Sequence, residues 1–149
     1  MPIILEPAAV KHAPRTDYEG KFSLPYSTAA MLVRGAVGVD TYTEKAIGDP
    51  VVLEVARRVR YETRPYPTAG RAFPGGVRIR LRDGRTLAAD CPYQKGSPEN
   101  PLAPGEVRAK FRRNAGLALS PEALAALETA ILGLDGVEDL TAALAPLRP

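Results

Sequence analysis

The chain has 149 residues and a mass of 15.9 kDa, with 45% hydrophobic residues, 25% charged residues and a net charge of +3, the balance of one soluble globular domain. It has no run near the ~18 apolar residues of a membrane span, and its opening, MPIILEPAAVKH, is broken by Pro2 and Pro7 and lacks the basic segment of a signal peptide. A single cysteine, Cys91, excludes an internal disulfide and a multi-thiolate metal site, and a single histidine, His12, makes a histidine-based zinc site or a serine–histidine triad nearly impossible within the chain; the unpaired cysteine and the missing signal-peptide pattern predict a cytoplasmic protein.

In chain order, PIILE reads as a short buried or edge strand ended by Pro7, and Lys11 to Gly20 as a polar loop. FSLPYSTAAMLVRG reads as a helix: Ser23 caps it, Pro25 suits its first turn, and Gly35 suits a left-handed end. Leu24, Thr28, Met31 and Leu32 fall on one side of this helix, and Tyr26, Ala29, Ala30 and Val33 on the other. A helix apolar on both sides belongs inside a core or between domains. A short helix follows over Thr41 to Ile47, and Asp49-Pro50 starts another, with an inward stripe of Val52, Val55, Ala56 and Val59.

From Val59 to Thr63 the period changes to that of a half-exposed strand, and residues 64 to 76, rich in proline and glycine, form a loop. Val77 to Arg82 alternates strictly, Asp83-Gly84 follows, and Arg85 to Asp90 completes the pattern of a hairpin. Arg78, Arg80 and Arg82 share one face, and Val77, Ile79 and Leu81 the other. After the loop from Tyr93 to Pro101, helices begin at Pro104 and at Ser120-Pro121, and a last short one spans Val137 to Leu144. The expected fold is α+β: an antiparallel sheet of about four strands, including the Val77–Asp90 hairpin, packed against helices. Residues 1–103 make the α+β part and 104–149 the C-terminal helices of one compact unit.

Nine arginines and only two acids lie between Arg57 and Arg85. Such a strip could hold phosphates, but the hairpin strands lack the aromatic residues on which bases stack, so it reads as a solvated sheet face and not as a nucleic-acid surface. The loop KGSPENP has one glycine and two prolines, a poor phosphate cradle. Cys91, beside Pro92 and remote from His12, reads as an inert thiol. Tyr26 lies in the first turn of the most apolar helix; its hydroxyl is either satisfied in the core or turned to a substrate in a cleft. Arg15 and Lys21 precede that helix and suit a carboxylate, arginine in bidentate fashion.

Three segments together resemble the MmgE/PrpD family, in its C-terminal portion: Lys21-Phe22-Ser23-Leu24-Pro25-Tyr26-Ser27 through to Gly35; Leu81-Arg82-Asp83-Gly84-Arg85; and Lys95-Gly96-Ser97-Pro98-Glu99-Asn100-Pro101-Leu102 followed by Lys110-Phe111. The family comprises dehydratases, 2-methylcitrate dehydratase among them, together with decarboxylases and epimerases. The resemblance implies a lid-type α+β domain that closes on a separate all-helical domain, with the active site between them. It implies proton abstraction next to a carboxylate of a small polycarboxylate, without metal or organic cofactor. Tyr26 matches the family tyrosine that faces the cleft, as the catalytic residue, and Ser23 and Lys21 line the same wall with Arg15 nearby. The family's histidine- and lysine-bearing segments precede the part resembled here, so catalysis implies a separate N-terminal helical half; the alternative is a stand-alone homo-oligomeric binding module. In the family, the helix after Asn-Pro-Leu opens with Ser or Thr, where this chain has Ala103 and leaves Pro104 to start it.

Overall fold

Ser23 does three things at once. Its Oγ accepts the Tyr26 N–H at 3.0 Å, its hydroxyl donates to the Lys11 carbonyl, and its own carbonyl takes the Ser27 N–H at 3.0 Å, so α3 (Leu24–Arg34) starts where the cap predicts. The helix ends at Gly35, whose φ of 74° lets its N–H return to the Met31 carbonyl at 2.9 Å. The computed structural model describes residues 2–68 and 72–147. The chain divides into two compact units, Met1–Arg64 and Pro65–Pro149.

In the first unit, α1 (Ala8–His12) and α2 (Asp17–Lys21) precede α3, and a 3-10 turn (Val39–Tyr42), α4 (Glu44–Ile47) and α5 (Pro50–Ala56) follow it. Asp49 caps α5, its Oδ1 accepting the Val51 N–H at 3.0 Å with Pro50 in the first turn, as the Asp-Pro pair predicts. The core is Tyr26, Ala29, Ala30, Ile47, Val52 and Ala56, with Tyr42, Leu53 and Val55 packed against it. Alanines at 29 and 30 let α3 lie close on α5, and burying Val52 and Ile47 contributes about 1.5–3 kcal/mol each. The His12 ring fastens α1 to the chain beyond α5: Nδ1 lies 2.8 Å from the Ala8 carbonyl oxygen and Nε2 3.0 Å from that of Val59.

In the second unit, β1 (Gly75–Arg80) and β2 (Thr86–Cys91) pair antiparallel, with Val77 opposite Ala89, Ile79 opposite Leu87 and Arg80 opposite Thr86. The hairpin closes through Arg82, Asp83 and Gly84: the Gly84 N–H donates to the Leu81 carbonyl at 3.1 Å, and Gly84 takes φ 87°. The aspartate–glycine pair therefore serves a three-residue loop in which glycine occupies the left-handed position. Beyond the hairpin come α6 (Pro104–Ala115), α7 (Pro121–Leu132, capped by Ser120), and a final short α8 (Leu140–Ala143, capped by Asp139), flanked by 3-10 turns at Leu134–Gly136 and Ala145–Leu147. Arg112 grips Glu128 as a fork, Nε to Oε2 at 2.6 Å and the second nitrogen to Oε1 at 2.9 Å, joining α6 to α7. The Ala103 N–H donates to Glu106 Oε2 at 2.8 Å, the half of a capping box that an alanine can still supply.

The fold is α+β, but the sheet has two strands among the described residues in place of the expected four. PIILE forms a 3-10 turn, Pro2–Ile4. Val59 to Thr63 runs without a ladder and is held by other groups: the Val59 carbonyl faces His12, and the Tyr61 hydroxyl donates to Glu6. Lys11 to Gly20 is not a loop throughout. It holds the end of α1 and most of α2, whose cap Thr16 accepts the Glu19 N–H at 3.2 Å. The Thr41–Ile47 helix is split at Thr43, which caps α4, and the Val137–Leu144 helix shrinks to α8. Of the expected loop 64–76, residues 69–71 lie outside the described residues. No helix among the described residues is long and apolar enough to cross a membrane.

Two glycines separate backbone strain from crowding, since a Cβ would meet nothing within 4 Å at either Gly35 or Gly105. Gly35→Ala should cost about 1 kcal/mol from its positive φ alone. Gly105→Ala, in the first turn of α6 with ordinary φ, should leave stability unchanged or raise it by up to about 1 kcal/mol. Urea denaturation of both variants checks the contrast.

Candidate functional site

The four residues singled out in the sequence lie along one stretch, from the segment before α2 to the start of α3. Tyr26 is fully buried. Its hydroxyl lies 2.9 Å from the Thr41 carbonyl and 2.8 Å from the Ala46 carbonyl, and one phenolic proton is shared between them. Burial, ahead of any nearby charge, pushes the Tyr26 phenol above its usual range. Its ring packs against Tyr42, whose hydroxyl is 2.9 Å from Ser27 Oγ. Of the two readings open from sequence, the geometry within this chain is that of a satisfied core tyrosine.

Ser23 is likewise buried and fully engaged, as donor to Lys11 and acceptor from Tyr26. Lys21 is half-exposed and reaches back one turn to Asp17 at 2.8 Å. Arg15 is exposed; its backbone N–H donates to Glu19 Oε2 at 2.6 Å, and with Ala9, Val10, Ala13 and Glu19 the residue lines a hollow of 290 Å³. Ser23 and Tyr26 are thus brought into contact, whereas Lys21 and Arg15 present their charges to solvent. A further electrostatic arrangement lies at the far end of α3. Arg34 donates to Asp49 Oδ2 at 2.9 Å and to the Ala46 carbonyl at 3.2 Å, beside an open hollow of 460 Å³ that includes Asp40 and Lys45. The hydrogen bond from Arg34 holds the Asp49 carboxyl below the usual carboxylate range.

Sequence reasoning missed Lys11, which is only 6% exposed and whose carbonyl receives the Ser23 hydroxyl, and it missed the Thr41 and Ala46 carbonyls that take up Tyr26. Backbone acceptors leave no mark in a side-chain pattern. Among the described residues no three His, Cys, Asp or Glu side chains cluster as metal ligands.

A family model described as MmgE/PrpD C-terminal domain matches residues 2–135. The chain belongs to the MmgE/PrpD family, of which it carries the C-terminal domain. Two of its relatives are the cis-aconitate decarboxylases of Mus musculus and Homo sapiens. The first is 28% identical over 127 residues and the second 28% over 128, each match covering 85% of this chain and 26% of the relative. The chain therefore spans about a quarter of the length of the curated relatives it matches.

Two measurements follow from the geometry around α3. Tyr26→Phe should destabilise the first unit by about 1–2 kcal/mol, because Thr41 loses its donor while Ala46 keeps Arg34; thermal denaturation reads this. Asp49 has a native pKa below its unfolded value of about 3.9, so its contribution is present above about pH 4 and is lost as pH falls through the lowered native value. Asp49→Asn keeps the cap and should flatten the stability profile between about pH 4 and pH 2, as followed by urea midpoints.

Proposed function

We propose that this chain is the C-terminal, lid-side part of a cofactor-independent enzyme that acts on a small polycarboxylate and is completed by the N-terminal helical half of the family fold. The observation that carries this reading is the family match across residues 2–135, joined to relatives whose name is cis-aconitate decarboxylase. The reaction class is proton abstraction next to a carboxylate, followed by loss of carbon dioxide or water, or by reprotonation on the other face. The base comes from the N-terminal helical half, because the hydroxyls on this side, Ser23 and Tyr26, are both engaged within the core.

In this reading Arg15, in its hollow, receives one carboxylate of the substrate through a pair of parallel N–H bonds. Lys21 releases its exposed pair with Asp17 at little cost and meets a second. Tyr26 and Ser23 fix the wall from behind, unless closure of the assembled cleft turns the phenol outward. The buried state of that phenol also favours a second reading, a stand-alone oligomeric binding module without catalysis.

The test offers cis-aconitate and 2-methylcitrate to the chain alone and to the chain co-expressed with the N-terminal portion of the family fold. Release of carbon dioxide or water should appear only in the co-expressed sample. Arg15→Gln should raise KM about 10-fold with kcat little changed. A sample that contains both folded polypeptides, by light scattering, and turns over neither acid would remove the enzymatic reading and leave the binding module.

A further inference from the structure

His12 is the single histidine of the chain. Both of its ring nitrogens face carbonyl oxygens, Nδ1 that of Ala8 at 2.8 Å and Nε2 that of Val59 at 3.0 Å. A carbonyl oxygen only accepts, so each contact needs a proton on the nitrogen. A neutral imidazole carries one N–H, and only the imidazolium carries two. With one proton removed, a nitrogen lone pair faces a carbonyl lone pair at hydrogen-bond distance, and that contact has to open. The ring is part-buried, so water replaces the lost bond incompletely.

The same two segments are tied a second time. The Tyr61 hydroxyl donates to Glu6, whose other oxygen accepts the Ala8 N–H at 3.1 Å. The Glu6 carboxylate favours a cation on α1, whereas Lys11 and the exposed Arg60, which donates to the Val59 carbonyl at 3.3 Å, oppose one. On the elements packed against α1 the charges are committed. Asp17 and Lys21 of α2 pair with each other, Glu19 accepts the Arg15 N–H, and Arg34 of α3 pairs with Asp49. The phenols of α2 and α3 are neutral below about pH 9, and carboxylates, lysines and arginines keep their charge between about pH 6 and 8. Hydrogen bonds donated by a cation are about twice as strong as neutral ones, and repulsion from a solvent-exposed charge is screened, so the two ring contacts outweigh the opposing cations.

We propose that His12 is a proton-operated clasp, which holds α1 to the chain beyond α5 while its ring is an imidazolium and loosens α1 when the ring gives up a proton. α1 and the residue that ends it supply Ala9, Val10 and Ala13, three of the residues that line the hollow beside Arg15. The shape of that hollow therefore follows pH. A histidine in an unfolded chain is half-protonated near pH 6.5, to within about half a unit. The folded chain uses both ring protons, so the stability that the clasp contributes is complete below about pH 6.5 and is lost as pH rises above it. The clasp does not depend on the enzymatic function proposed above, and either can fail while the other stands.

Urea denaturation of the full chain at about pH 6 and pH 8, followed through the amide NMR signals of the first unit, tests it. The unfolding equilibrium constant of the wild type should be about 5-fold larger at the higher pH. His12→Gln offers neutral donors and does not titrate, so it should remove that difference. Tyr61→Phe, which cuts the second tie, should weaken the chain by one factor at both pH values and keep the difference. In the folded wild type the amide signals of Ala9, Val10 and Ala13 should move over the same range, and in His12→Gln they should stay in place. Equal wild-type stability at the two pH values, a His12→Gln chain that keeps the difference, or wild-type α1 signals that do not move would each overturn the proposal. Where His12→Gln does not fold, the wild-type profile and spectra still decide it.

Discussion

The first unit depends on one phenolic oxygen. Tyr26 reaches from α3 to the Thr41 carbonyl in the 3-10 turn and to the Ala46 carbonyl in α4. Ala46 also receives Arg34, and Arg34 holds Asp49, the cap of α5. A polar thread thus runs from α3 to α4 to α5 at the edge of an apolar core that contains four of the same chain's small residues, Ala29, Ala30, Ala46 and Ala56. The elements it joins are short: α4 has 4 residues and α5 has 7. Helices of that length do not persist alone in water, so fixing their ends to a longer neighbour is what makes them structure at all.

The same thread explains what could be read in the sequence. α3, α5, α6 and α7 are legible because each announces its start with proline in the first turn, and Ser23, Asp49 and Ser120 add side-chain caps. The hairpin is legible because alternation on both sides of Asp83-Gly84 admits few other folds. Illegible were the short pieces. α1 and α2 have 5 residues each, too few to show a helical period, and the Lys11 to Gly20 stretch that holds the end of one and most of the other is polar and looks like a loop. PIILE and Val59 to Thr63 have strand-like composition, yet a strand exists only where a partner accepts its ladder, and His12 and Glu6 supply other partners. For the site, the placement of Tyr26 on α3 was readable, but the destination of its hydroxyl was not, because the acceptors are main-chain oxygens.

Family membership and local geometry bear on different questions. Membership rests on 134 contiguous positions, residues 2–135, and says what kind of domain this is. Local geometry says which groups are at liberty. The two hydroxyls near the start of α3 are occupied in holding the fold, while the exposed Arg15 is one of the residues that line a small hollow.

The two sides of α3 also place different limits on how this sequence can change. Toward α5, Ala29 and Ala30 have no exposed surface, and any larger side chain there would drive two helices apart. On the far side the core sets a looser limit on volume, because a half-exposed leucine or methionine can exchange with other apolar residues without disturbing it. One helix therefore keeps two separate records of descent, one written in side-chain volume and the other in hydrophobic character.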